Sequence, residues 1–386
     1  MRVIVGFLAF ILIGSNDGVS GVLLPGIQAH YGVDKATVAL LFLAGSGGYL
    51  VATLGSGALA GRLGLRGFVL LGGWGLSASM ALLGVGPPFA VLLGGVLASG
   101  FSVGCLDAGL NTWTAGLPNN SALLNYLHAS YGLGALIGPL VATAVLAAVG
   151  TWNVVYLVLA AWGILVLGGL AARLRPAEAL PADAPARGAL LETLRLRGVL
   201  LAGAFLLVYV GTEVSLGNWA YSLLTEARQV GLPLAGGMVS GYWAGLMLGR
   251  LALGRLAGRV GTRRLIAGCL AGVFAGIGLL WLGQGAPTLA LGLLLTGFSL
   301  GPLYPTTIAV LAESTPARLL PGAVGFVSGA GSIGAAVFAW LAGQLAQQFG
   351  LLSLPPYALC LTAVMLILWL RQGSQPVPPG RRPADL

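Results

Sequence analysis

The sequence predicts an all-α membrane protein with twelve transmembrane helices arranged as two pseudo-symmetric six-helix bundles. Three observations predict it. The 386 residues are 57% hydrophobic and 8% charged, with a mean hydropathy of +0.95, whereas a soluble domain carries roughly 25% charged residues. Apolar runs of about 20 residues, the length that crosses a bilayer as a helix, recur between Gly, Pro and Arg punctuation. A single sequence offset relates the two halves.

In chain order the expected helices are 4–27, 37–60, 67–86, 88–113, 125–149, 152–173, 198–224, 236–258, 264–283, 287–312, 322–346 and 351–371. The first run follows Met1-Arg2 like a signal peptide. It lacks a small-x-small cleavage site and runs straight into Asn16-Asp17, so it is read as the first span. The stretch between the sixth and seventh runs is the long polar one, with Pro176, Pro181 and Pro185 among charges of both signs (Arg175, Glu178, Asp183, Arg187, Glu192, Arg195). The domains are therefore 1–173, a linker at 174–197, 198–371, and a tail at 372–386. The 64 glycines suit membrane helices that pack closely through small residues.

Charge placement sets the expected orientation. With the N-terminus in the cytoplasm, Arg2, Arg62, Arg66, the linker arginines, Arg255, Arg259, Arg263, Arg264, Arg318, Arg371, Arg381 and Arg382 fall inside. Lys35 and Arg228 fall outside, and Arg250 lies within a helix. This is the positive-inside pattern, giving a multi-pass protein of the inner (plasma) membrane with both termini cytoplasmic. The basic residues sit in loops between apolar runs and form no patch for nucleic acid.

The halves repeat at an offset of 254 − 57 = 197: GALAGRLGLR (57–66) matches GRLAGRVGTR (254–263). The same offset places Gly14 on Gly211, Gly104 on Gly301, Leu106 on Leu303, Gly132 on Gly329 and Gly134 on Gly331. Parallel six-helix repeats around a midplane site are one transporter plan.

Ionisable groups inside apolar runs are expensive and read as functional by default. Three acids qualify: Asp17, Asp107 and Glu213, the last one position from the repeat partner of Asp17 (17 + 197 = 214). Asn111 falls one turn after Asp107 on the same face. Asn125 and His128 open the next run three apart. Asn218 and Trp219 follow Glu213, and Tyr304 is the repeat partner of Asp107 (107 + 197 = 304). It sits in Gly301-Pro302-Leu303-Tyr304-Pro305, where the prolines remove backbone donors. The amides, His128 and the aromatic groups suit a hydroxylated solute; interhelical hydrogen bonding is the alternative for each asparagine. Arg62 and Arg66 in the first loop, with Arg255, Arg259 and Glu313 in the second half, are expected gating residues; Arg250, Arg255, Arg259, Glu313 and Arg318 are expected to form an inner-face ion-pair cluster that holds the second half closed.

Cys105, Cys269 and Cys360 lie far apart without metal-ligand spacing, so neither a metal nor a disulfide framework is expected. No Ser/His/Asp or His-Glu-x-x-His constellation occurs, so no catalytic residue, no cofactor and no enzymatic activity are expected.

Taken together, the residues resemble the major facilitator superfamily over essentially the whole chain. Gly57-Ala58-Leu59-Ala60-Gly61-Arg62-Leu63-Gly64-Leu65-Arg66 is similar to that family's loop signature, with Gly61 and Gly258 where the family usually has Asp. Asp17, Asp107 with Asn111, Leu124-Asn125 with His128, and Gly211 to Trp219 resemble its fucose permease-like and glucose transporter-like sugar symporters. The resemblance implies a monomer that moves a small-molecule substrate, a monosaccharide, with a proton as coupling ion, and it gives Asp17 and Asp107 roles in proton and sugar handling. Sodium remains open as the ion. Gly134-Ala135-Leu136-Ile137-Gly138-Pro139 resembles the glycine-proline signature of proton antiporters, which supports a second reading, efflux of drug-like amphiphiles. Helix packing explains those glycines equally well.

Overall fold

The computed structural model describes residues 2–117, 120–173, 189–254, 260–316 and 318–372. Among these the protein is helical almost throughout: α1 (Arg2–Tyr31), the short α2 (Lys35–Val38), α3 (Leu40–Gly84), α4 (Phe89–Ala115), α5 (Asn120–Val149), α6 (Asn153–Arg173), the short α7 (Ala189–Leu194), α8 (Arg197–Ser222), α9 (Leu232–Gly254), α10 (Thr262–Leu282), α11 (Ala286–Leu300), α12 (Leu303–Ser314), α13 (Leu320–Phe349) and α14 (Leu354–Gln372). A π turn, Leu223–Ala227, extends α8, and a 3₁₀ turn, Leu351–Ser353, precedes α14.

Ten of the described helices are long and apolar enough to cross a membrane. One of the ten, Lys35–Gly84, is 50 residues long and takes in both the second and third expected helices. Helical hydrogen bonding continues through the expected loop and is interrupted at Gly64, whose φ of 68° and ψ of 160° lie outside the region open to side-chain-bearing residues. The expected loop is therefore a one-residue break. The tenth expected helix is divided into α11 and α12, joined by Gly301 and Pro302, which both keep right-handed helical dihedrals.

The chain forms two compact units, the first of which draws on both halves of the sequence: residues 1–183 with 215–243 and 339–354, and residues 184–214 with 244–338 and 355–386. In the first unit α1 and α5 touch backbone to backbone. A Cβ at Gly14 would overlap the Tyr131 carbonyl, and one at Gly134 would overlap that of Ile11. Ser15 Oγ donates to the Gly134 carbonyl across the crossing at 3.2 Å. Gly138 faces the Ser15 carbonyl in the same way, so the glycines of the fifth-helix signature have a packing use here. In the second unit their repeat partners Gly211 and Gly331 lie at the α8–α13 crossing, against Phe338 and Val210. Cys105 and Cys269 are buried and Cys360 is exposed.

The end of the linker is tied to the second unit. Arg318 forms a two-pronged ion pair with Glu192 on α7, one contact being 2.6 Å. The Arg318 hydrogen bond holds the Glu192 carboxyl below the usual carboxylate range. A depressed carboxyl contributes stability that is present above the usual range and lost as pH falls through the folded value. Acidification is thus expected to release α7, seen as faster hydrogen exchange over 189–196 after correction for the intrinsic rate, and Arg318→Gln is expected to remove that pH dependence.

Candidate functional site

Polar side chains in the apolar interior of the first unit gather around two carboxyls. Asp17, midway along α1, accepts from the Tyr131 hydroxyl on α5 at 2.8 Å, with Asn16 Nδ2 at 3.4 Å. Asp107 on α4 accepts from the Tyr49 hydroxyl on α3 at 2.7 Å. Its other oxygen accepts from Asn111 Nδ2 at 2.8 Å, one helical turn on. The two carboxyls lie within electrostatic reach of each other, and His128 lies within reach of Asp107. The exposed His128 stands edge-on to Phe10, ring centres 5.7 Å apart. Asp17, Asp107, Asn111 and His128 are therefore brought together, whereas Asn125 is exposed at the start of α5.

The hydrogen-bond donors to these carboxyls described above are two hydroxyls and two amides, with His128 within electrostatic reach of Asp107. Among the described residues, no Lys or Arg forms an ion pair with Asp17 or Asp107. A carboxyl held by neutral donors can exist in either protonation state, because the Tyr and Asn groups stay bonded to its remaining oxygen lone pairs.

The second unit treats its acid differently. Glu213 on α8 receives the Tyr209 hydroxyl from the preceding turn and faces Arg250 Nη2 of α9 at 3.7 Å. Arg250 Nε donates to the Gly301 carbonyl at 3.3 Å. The sequence explains why that carbonyl is available. In a helix it would accept from residue 305, and Pro305 has no N–H. Pro302 frees the Phe298 carbonyl for the same reason, and that oxygen meets the backbone of Gly249 on α9. Both freed acceptors thus face α9. Tyr304 packs near Tyr209, with ring centres 6.3 Å apart, and its hydroxyl bonds Ser328 Oγ at 2.9 Å. Pro305→Ala supplies the missing N–H and is expected to draw the Gly301 carbonyl back into the helix. Arg250 then becomes more reactive toward phenylglyoxal, read by peptide mass spectrometry, while stability changes by no more than about 1 kcal/mol.

Asn218 and Trp219 fall into the first unit. Asn218 is buried, with its backbone against Gly21. Trp219 is fully buried, donates Nε1–H to the Ala339 carbonyl at 3.0 Å and meets Phe42 edge-on, so in this arrangement it packs between helices. Two members of the expected ion-pair cluster have ion-pair partners among the described residues. Arg250 goes to Glu213 and Arg318 to Glu192, while Glu313 is exposed. Arg255 and Arg259 lie outside the described residues. Arg62 is exposed, and Arg66 Nη2 donates to the Ala171 carbonyl of α6 at 2.9 Å, closing a helix end.

Sequence reasoning missed Tyr49, Tyr131, Tyr209, Ser328 and the pairing of Arg250. Signals existed for three of them. Tyr209 precedes Glu213 by four, Tyr131 follows His128 by three, and Ser328 is the repeat partner of Tyr131 (131 + 197 = 328). Nothing in the sequence marks Tyr49.

Long apolar helices that hold carboxyls in their interior suit a multi-pass membrane transporter rather than an enzyme. The chain belongs to the Major Facilitator Superfamily, whose sequence profile matches residues 6–284 and 201–386. Bypass of stop codon protein 6 of Saccharomyces cerevisiae is 24% identical, over 96% of this chain and 82% of its own length. A variant of the nucleoside transporter NupG superposes with a TM-score of 0.81 at 11% identity, covering 97% of this chain and 99% of that one. A variant of the Escherichia coli fucose:proton symporter FucP gives 0.66 at 18% identity, covering 97% and 98%. At such identities the structural likeness establishes the fold.

Proposed function

We propose that this protein is a secondary active transporter that moves a small polar solute, a monosaccharide, by alternating access coupled to protons. The observation that carries the reading is the Asp17–Asp107 pair: two interior carboxyls held by neutral donors and within each other's field. Such groups can bind a proton and give it up without breaking an ion pair. Asn111, His128, Tyr49 and Tyr131 beside them supply donors and acceptors for a hydroxylated solute. The likeness to a fucose:proton symporter and to a nucleoside transporter, each handling a sugar-bearing solute, supports the same reading. In this account the helices make twelve crossings as two six-helix bundles, 1–173 and 198–371, in a monomer of the plasma (inner) membrane with both termini cytoplasmic.

The test is accumulation of labelled monosaccharides in liposomes under an imposed inward proton gradient. One sugar is expected to accumulate, and a protonophore to abolish the accumulation. Accumulation under a sodium gradient alone would move the coupling to sodium. Extrusion of lipophilic cations with no sugar transported would favour efflux, the reading supported by Gly134 to Pro139; against it, Gly134 and Gly138 already serve the α1–α5 crossing.

A further inference from the structure

A cation stands at mid-depth in the second unit. Glu213 lies 16 residues (213 − 197) after the start of α8, and Arg250 Nη2 of α9 faces it at 3.7 Å. That contact is longer than the about 2.7–2.9 Å of a charge-assisted hydrogen bond. The cation is also the more accessible partner, its side chain 33% exposed against 12% for Glu213.

The helix architecture shared by the two halves does not call for a charge at this position. The repeat partner of Arg250 is Thr53 (250 − 197 = 53), whose hydroxyl donates to the Tyr49 carbonyl of its own helix at 2.8 Å. Nor does stability call for it, since a buried ion pair holds helices no better than well-packed apolar side chains. An ionisable group at such a depth reads as functional.

The guanidinium is anchored as well as charged. Its Nε donates to the Gly301 carbonyl, the acceptor that Pro305 leaves without a helical donor. The Nη nitrogens carry the other donors, in the fork that matches a carboxylate. Hydroxyls and aromatic faces lie beside it in the same unit. The Tyr209 hydroxyl donates to Glu213 and is within reach of Arg250. Tyr304 follows, its ring near that of Tyr209 and its hydroxyl on Ser328. Such groups are what a sugar ring uses.

We propose that Arg250 is a carboxylate-binding residue and that the solute is an acidic monosaccharide. The solute's carboxylate displaces Glu213 from the guanidinium and takes the two-pronged bond. Glu213 holds the guanidinium when the site is empty, which spares an unpaired cation its cost, and when displaced it keeps the Tyr209 hydroxyl. This inference rests on the sugar reading and adds one charged group to the solute.

The test compares initial uptake of labelled sugar pairs into liposomes carrying the full-length protein under an inward proton gradient: glucose with glucuronate, galactose with galacturonate, and mannose with mannuronate. The members of a pair share the ring and its hydroxyls and differ at C6. For one pair the uronate is expected to enter about tenfold faster or more, the gain from hydrogen bonds to a charged group. Its methyl ester is expected to fall back to the rate of the parent hexose. Glu213→Gln with Arg250→Met removes both charges together and is expected to bring the ratio of uronate to hexose close to one. Should that variant not fold, Arg250→Lys, which keeps the charge but not the fork, is read in its place and is expected to lower the ratio several-fold. A hexose carried as fast as its uronate, or faster, would overturn the inference and leave the sugar reading standing. No member of any pair carried would overturn both. A uronate preference unchanged in the variant would also overturn the inference, placing the carboxylate away from Arg250.

Discussion

Asp107→Asn is expected to abolish proton-coupled accumulation of the solute while leaving exchange of solute across the membrane intact. Asn preserves the side chain's size and its oxygen acceptor, so the Tyr49 hydroxyl keeps a partner. What it removes is the ability to take and release a proton. The side-chain contact to Asn111 at 2.8 Å becomes amide to amide, while Asn111 Nδ2 keeps its bond to the backbone carbonyl of residue 107 at 2.9 Å. The fold therefore survives and the loss is specific. Counterflow of labelled solute in preloaded liposomes should stay within a few-fold of the parent, and gradient-driven uptake should fall to background. Loss of both together would mean that Asp107 holds the fold or the solute rather than the coupling proton. Asp17→Asn should give the same split, since Tyr131 supports it in the same way.

The largest effect on stability is expected at the other acid. Glu213→Gln leaves Arg250 charged within a membrane-length helix, facing an amide. Removing one partner of a buried ion pair typically costs about 3–5 kcal/mol. The Arg250 side chain is 33% exposed, so solvent screening reduces the expected loss to about 1–3 kcal/mol. Arg250→Met alone should also destabilise, because the Glu213 carboxyl then loses its cationic partner. The double variant Glu213→Gln with Arg250→Met should recover most of the loss. Apparent melting temperatures of the three variants measure this coupling directly. A single Glu213→Gln variant as stable as the parent but unable to accumulate solute would instead place Glu213 among the proton carriers.

These two predictions separate acids that look alike in the sequence. Asp17 and Glu213 occupy nearly equivalent repeat positions, and both interrupt apolar runs. What distinguishes them is the charge of the partner on another helix, the neutral Tyr131 for Asp17 and the cationic Arg250 for Glu213. Glu213 meets Arg250, 37 residues later, through a crossing that Pro305 prepares by freeing the Gly301 carbonyl. Local spacing carries no such information. It did carry the Asp107–Asn111 bond, because four residues make one helical turn. It also carried the helical class and the positions of most helices, because bilayer length and apolar composition leave few alternatives.

The first loop was less legible. Glycine and arginine punctuation between 57 and 66 reads as a gap between helices, but a single residue, Gly64, makes the break. The partners of Arg250 and Arg318 in the expected gating cluster were hidden for a related reason. Arginines at helix ends invite pairing with the nearest acid in sequence, yet Arg318 reaches back to Glu192, 126 positions away. The contacts of Lys35 with Glu226 and Gln347 were invisible because the three residues come from distant segments and each is an ordinary polar residue on its own.

The central claim is that solute and proton cross together through the Asp17–Asp107 site. It is tested most directly with purified protein in liposomes containing a pH dye, with monosaccharides added outside one at a time. The account predicts internal acidification on addition of one sugar and none in liposomes carrying Asp107→Asn. Entry of labelled sugar without any pH change would contradict it.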